Sequence, residues 1–215
     1  MLKAIIFDLD GVIVSTDDLH YMAWKKIAVQ EGIPFDQTIN HQLRGVSRME
    51  SLEIIISGSS KTYSLEEKHK LAKTKNDYYV TLLNQLSPQD ILPGVASTLA
   101  WLKNHNFKIA IGSSSKNAKT ILSKIGLIDM FDVIIDGNDI QKSKPDPEVF
   151  LKASIALNYT PQECAVVEDA EAGIEAAKSA NMFAIGIGPA AKYNKTDCSI
   201  ERVDELQFKI MSSQI

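Results

Sequence analysis

The sequence predicts an α/β fold: a doubly wound, mostly parallel sheet interrupted by an inserted α-helical unit. Three observations predict it. Beyond residue 90, short and nearly continuous apolar runs alternate with amphipathic segments, the pattern of strands buried on both faces and joined by helices. A further run of the same kind, residues 2–7, stands apart at the start. The chain between that run and residue 87 has helical periodicity and no strand-like segment.

Residues 2–7 form the first predicted strand. Residues 17–31 follow as a helix, with Leu19, Ala23, Trp24, Ile27 and Ala28 at helical spacing. Residues 64–86 form a longer one, opened by Ser64 and Glu67 in the spacing of a capping box. Pro88 and the Pro93-Gly94 pair punctuate the return. The second half then reads strand 107–112, helix 116–126, strand 133–135 and helix 147–158 with proline at its start. Strand 165–167, the alanine-rich helix 170–180 and strand 182–187 complete it. The division expected is a core of residues 1–14 and 88–215 and a helical unit of residues 15–87.

Composition narrows the function classes. Hydrophobic residues at 45% and charged residues at 23% suit a globular chain with a core rather than a disordered one. The formal charge is 23 − 27 = −4 with no dense Lys/Arg run, so no nucleic-acid partner is expected. No apolar stretch is long enough for a membrane span, and the first residues lack the shape of a signal peptide, so no membrane partner is expected. Two cysteines, Cys164 and Cys198, make no disulfide framework, and a cytoplasmic location is expected. A monomer is expected as well.

Ligands of open parallel sheets bind beyond the carboxyl ends of the strands. Asp8-Leu9-Asp10-Gly11 follows the first strand, and Ser113-Ser114-Ser115-Lys116-Asn117 follows the second. Ser143-Lys144-Pro145-Asp146-Pro147 precedes the second helix of the second half, and Glu168-Asp169 ends the fourth strand. Asp8 and Asp10, two apart, point the same way if the extended geometry persists. Crowded carboxylates need a cation or a proton. Three acids with hydroxyls and carbonyls, and no His or Cys cluster, suit a hard cation such as Mg²⁺ better than zinc. A phosphate beside them would be repelled by about 4 kcal/mol per unit-charge pair at 4 Å and an effective dielectric of about 20. Mg²⁺ and Lys144 are the counter-charges, and a carboxylate could then attack phosphorus and form an aspartyl-phosphate.

Taken singly, each motif has a plainer reading. Asp8 and Asp10 could be turn acids beside Gly11, Lys144 a solvated loop lysine, and Glu168-Asp169 acids favoured at a helix start. His20 and Trp24, four apart on one helical face, could be core. His41, His69 and His105 read as surface residues, and Cys164 as inert core.

Together, Asp8-Leu9-Asp10-Gly11-Val12, Ser113, Lys144-Pro145-Asp146-Pro147 and Glu168-Asp169 resemble, in order, the four motifs of the haloacid dehalogenase superfamily. The resemblance covers the whole chain and implies a Rossmann-like core with an inserted helical cap. The cap segments His20–Lys25, Leu43-Arg44-Gly45-Val46-Ser47-Arg48 and Lys75-Asn76-Asp77, with Ser113–Asn117, resemble those of the superfamily's sugar-phosphate mutases. Those enzymes interconvert β-glucose 1-phosphate and glucose 6-phosphate through a bound β-glucose 1,6-bisphosphate. The resemblance implies Asp8 as nucleophile and Asp10 as general acid and base. It implies Mg²⁺ held by Asp8, Asp169 and the Asp10 carbonyl, with Glu168 nearby. Ser113 and Lys144 would hold the transferring phosphate. Arg48, with Ser115, Lys116 and Asn117, would hold the second one. His20, Trp24 and Lys75 would line the sugar side, with Gly45, Val46, Ser47 and Ser114 as further substrate contacts. The chain departs from the family at Ser15, where an acid is usual, and this implies altered hinge hydrogen bonding.

Rivals share this scaffold. A sugar-phosphate phosphatase would use Asp8, Asp10, Lys144 and Asp169 and hand the phosphate to water; Arg48 and the 115–117 run count against it. A haloalkanoate dehalogenase needs neither Asp10 as acid nor Mg²⁺. A non-catalytic binding or regulatory protein would be expected to have lost a catalytic member, and none is missing.

Overall fold

The computed structural model describes residues 2–43 and 46–212. Its sheet is built from β1 (Ala4–Phe7), β2 (Lys108–Gly112), β3 (Val133–Ile135), β4 (Cys164–Glu168), β5 (Phe183–Ile187) and β6 (Cys198–Ile200). Every pairing among them is parallel, in the order β3-β2-β1-β4-β5-β6. The chain adds strands outward from β1 on one side, then crosses back to β4 on the other. The switch point therefore lies at the carboxyl end of β1, where a crevice opens in folds of this kind.

The period-2 alternation of strands divides the core into two layers. Ile5, Phe7, Ile109, Ile111 and Val167 pack with Val95, Leu99 and Leu102 of α5 (Val95–Asn104), Ile121 and Leu122 of α6 (Ala118–Lys124) and Leu206 of α9 (Glu205–Met211). Ala4, Ile6, Ala110 and Val166 face α7 (Glu148–Leu157) and α8 (Glu171–Ser179) through Val149, Phe150, Ile174 and Ala177. Each large side chain buried this way contributes about 1.5–3 kcal/mol.

Between β1 and α5 the regular structure is helical: α1 (Asp17–Glu31), α2 (Gln37–His41), α3 (Arg48–Ile56) and α4 (Leu65–Leu82). Three of these gather a hydrophobic cluster of their own, with Trp24, Ile27 and Ala28 from α1, Leu52 and Ile55 from α3 and Ala72 from α4. The Ser64 capping box forms: the Ser64 hydroxyl accepts the Glu67 N–H, and the Glu67 carboxylate accepts the Ser64 N–H at 2.8 Å. Ser47 and Glu50 repeat it at the start of α3. At the base of this insert its two connections run antiparallel, Val14 bridging to Ile91 and Leu92 N–H donating to the Ile13 carbonyl at 2.9 Å.

The regular elements are shorter than the sequence predicts at several ends. The first strand begins at Ala4, and the long helix ends at Leu82, its last residues continuing as a 3₁₀ turn. Elements α2, α3, α5, β6 and α9 were not resolved by the sequence patterns, most of them being too brief for periodicity to register. Among the described residues no helix is long and apolar enough to cross a membrane.

Candidate active site

The ends of β1, β2 and β4 bring the separated motifs to one cavity of about 1360 Å³, roofed by α1–α4. Asp8 follows the last residue of β1, and its N–H donates to the Val167 carbonyl at 2.9 Å, so the strand register itself sets its position. Lys144, 2% exposed, reaches in from the loop before α7 and lies across the ring of Phe150. Its ammonium donates to Asp8 Oδ1 and Glu168 Oε1, each at 2.5 Å. Burial disfavours that charge, but the two carboxylates outweigh it and hold the ammonium above the usual lysine range.

The carboxylates of Asp8, Glu168 and Asp169 offer oxygens within 4.8 Å of one another. Burial, and then the charges of Glu168, Asp8 and Asp10, push the Asp169 carboxyl upward. Burial likewise raises Glu168, against the pull of Lys144. A set of three hard oxygen donors with this mutual repulsion fits a divalent cation such as Mg²⁺, which would relieve it. Close packing makes the cluster possible. A Cβ on Gly11, whose φ is +81°, would lie 2.1 Å from Asp169 Oδ2, and one on Gly173 would lie 1.9 Å from Glu168 Oε1.

Asp10, like Asp8, borders the cavity. Its carboxylate faces the start of α1, accepting the Thr16 N–H at 2.7 Å and the Thr16 hydroxyl. Burial raises its pKa to about 6, with the Thr16 bonds opposing and Asp8 assisting. A buried carboxyl near that value can carry or release a proton near neutral pH. Ser15 is exposed and borders the cavity.

Ser113 is buried at the end of β2, and its hydroxyl accepts the Ser115 N–H at 3.2 Å. The Ser115 hydroxyl in turn accepts the Asn117 N–H at 3.2 Å, which curls the loop around the cavity edge. The loop after β3 braces it: Gly137 N–H donates to the Ser115 carbonyl at 3.1 Å and Asn138 Nδ2 to the Lys116 carbonyl at 2.9 Å. The Ser114 hydroxyl is buried and makes no hydrogen bond. From the insert, Asn76 Oδ1 accepts from Asn117 Nδ2 at 3.0 Å.

The remaining predicted residues line the roof. Val46, Ser47 and Arg48 border the cavity at the start of α3; Gly45 lies outside the described residues. Lys75 of α4, 2% exposed, has its Nζ within hydrogen-bond distance of His20 Nδ1, at 2.7 Å, and sits 4.9 Å from the Trp24 ring centroid. Burial, then Lys75 and Arg48, hold His20 well below the usual imidazole range. Burial, then Arg48, hold Lys75 well below the usual lysine range. Trp24 belongs to the insert's own core and meets the cavity with one side. His41, His69 and His105 are exposed, and burial pushes the Cys164 thiol up to about 11.

Sequence reasoning missed Thr16, Tyr79 and Gly173. Tyr79 stands one turn beyond Lys75 on the same face of α4, which is the signal that could have found it.

A crossover parallel sheet whose carboxyl edge joins a buried lysine to two acids, with a third beside them, defines a phosphotransfer scaffold of the haloacid dehalogenase type. The chain belongs to that family: the profile of the haloacid dehalogenase-like hydrolases matches residues 5–187. It is 45% identical over 215 residues to the β-phosphoglucomutase of Bacillus subtilis, covering 99% of this chain and 95% of that one. The crystal structure of β-phosphoglucomutase from Clostridium difficile superposes with a TM-score of 0.93 at 44% identity, covering 100% of this chain and 97% of that chain. A phosphorylated carbohydrates phosphatase of Thermotoga maritima is more distant, 32% identical over 184 residues, 84% of this chain and 82% of that one.

Proposed function

We propose that this chain is a β-phosphoglucomutase, interconverting β-glucose 1-phosphate and glucose 6-phosphate through an aspartyl-phosphate and a glucose 1,6-bisphosphate. The observation that carries the proposal is that Arg48 of the insert and the Asp8–Lys144 pair border the same cavity. A mutase must hold two phosphates at once, one at the nucleophile and one at the far end of the sugar. Arginine's planar fork suits the second.

In this reading an Asp8 oxygen attacks phosphorus, and the bond from phosphorus to the sugar oxygen breaks. Asp10 gives its proton to that leaving oxygen and later takes one from the incoming hydroxyl. Lys144 and Ser113 hold the transferring group, while Arg48, Ser115, Lys116 and Asn117 hold the distal phosphate. Gly45, Val46, Ser47 and Ser114 are further substrate contacts, and His20, Trp24 and Lys75 contact the sugar. Asp8, Asp169 and the Asp10 carbonyl, with Glu168 nearby, would hold Mg²⁺, which supplies charge neutralisation for the phosphoryl group. The helical insert, residues 15–87, acts as the cap that limits attack by water. A monomeric, cytoplasmic enzyme with no nucleic-acid or membrane partner completes the proposal.

Phosphorus NMR with Mg²⁺, β-glucose 1-phosphate and a trace of the bisphosphate tests it. Glucose 6-phosphate with little free phosphate is the expected product. Free phosphate as the main product would move the assignment to a sugar-phosphate phosphatase, the activity named for the Thermotoga relative.

A further inference from the structure

We infer that Tyr79 is a positioning residue for Asp10, acting through the hydroxyl of Thr16. The inference rests on the reading of Asp10 as general acid and base.

Proton counting sets the direction of each bond. Thr16 has one hydroxyl proton, and the ionised Asp10 carboxylate can only accept. That proton goes to Asp10 Oδ2, which leaves lone pairs on Thr16 Oγ1. Tyr79 Oη, 2.9 Å away and buried, is therefore the donor to Thr16. Burial, and then the Asp10 charge, hold the phenol far above its ordinary range, so its proton stays in place.

A hydroxyl held at both ends loses its rotor freedom, and chained hydrogen bonds polarise one another. Thr16 also binds the other Asp10 oxygen through its N–H at 2.7 Å, so both carboxylate oxygens are anchored to this one residue. The Tyr79 ring is itself clamped, 4.2 Å from the His20 ring and 4.5 Å from the Lys75 ammonium. Helix α4 thus carries Lys75 and, one turn on, the far end of the chain that aims Asp10. Cap helix and acid–base carboxylate are mechanically joined.

The test is a double-mutant cycle in the full chain with Tyr79→Phe and Thr16→Val, following kcat and KM for β-glucose 1-phosphate with saturating bisphosphate. Tyr79→Phe keeps the ring and removes the hydroxyl. It should lower kcat about three- to ten-fold, the effect of one hydrogen bond, with KM changed less than about two-fold. In the Thr16→Val background the same substitution should change nothing further. An equal loss in both backgrounds, or a change confined to KM or to thermal stability, would overturn the inference. The crystal structure of Tyr79→Phe decides it without turnover: a second rotamer of Thr16 or Asp10 is expected, and an unaltered Asp10–Thr16 pair overturns it. A wild-type chain inert toward sugar phosphates would remove the mutase reading alone, since that structure still decides the role of Tyr79.

Discussion

Lys75 and His20, 55 residues apart in sequence, meet with Nζ 2.7 Å from Nδ1 in the roof of the cavity. Two bases share a buried site there, and burial holds both below their usual proton affinities. Their mutual contact and the rings of Trp24 and Tyr79 offset only part of the cost of that burial. Lys75→Met should therefore be about 0.5–2 kcal/mol more stable than the wild type at neutral pH, while losing most of its turnover. The sign with pH follows from linkage. Above 10.5, the ordinary lysine value, neither state holds the proton. As the pH falls, the unfolded chain takes it up first, so wild-type stability drops until the depressed folded value is reached. Thermal melts of both proteins across that window should diverge toward low pH; parallel curves would sink the idea.

Asp8→Asn keeps the size of the side chain and removes the carboxylate proposed as nucleophile. Turnover should fall at least about 10³-fold, with no phosphorylated protein in intact mass spectra. Residual activity near the wild-type level would assign the attack elsewhere.

Chelation should act as strongly. With Asp8, Glu168 and Asp169 offering oxygens within 4.8 Å of one another, stripping with EDTA should abolish turnover and Mg²⁺ should restore it. Asp169→Ala should resist that rescue. Full activity in excess EDTA would contradict the metal reading.

Arg48→Ala tests the proposed distal phosphate site apart from the one at Asp8. Binding of the bisphosphate should weaken about 10–100-fold, the worth of a charge-assisted bidentate contact. Phosphorylation of Asp8 by a small donor such as acetyl phosphate should persist. Equal damage to both reactions would place Arg48 in the fold rather than at the distal phosphate.

Gly173→Ala tests the packing behind Glu168. In an ordinary helix interior this change gains up to about 1 kcal/mol. Here the added Cβ would sit 1.9 Å from Glu168 Oε1, so α8 or the carboxylate must shift. The variant should be less stable by about 1–3 kcal/mol and slower, as measured by denaturation and initial rates.

What the sequence by itself determined is the fold class, the order of the buried strands and the identity of the acids and lysine at their carboxyl ends. Those are local signals: an apolar run marks a strand buried on both faces, and whatever follows it lies at the sheet edge. Brief elements such as β6, with three residues, carried too little pattern to register. The tertiary structure alone decided which side chains meet. Lys144 reaches Asp8 across 136 residues and Tyr79 reaches Thr16 across 63. It also gave the Asp10 carboxylate to Thr16, and it required glycine at 173. These relationships depend on the angle at which α4 and α8 settle on their neighbours, and packing against distant surfaces sets that angle, with no periodicity in the chain to announce it.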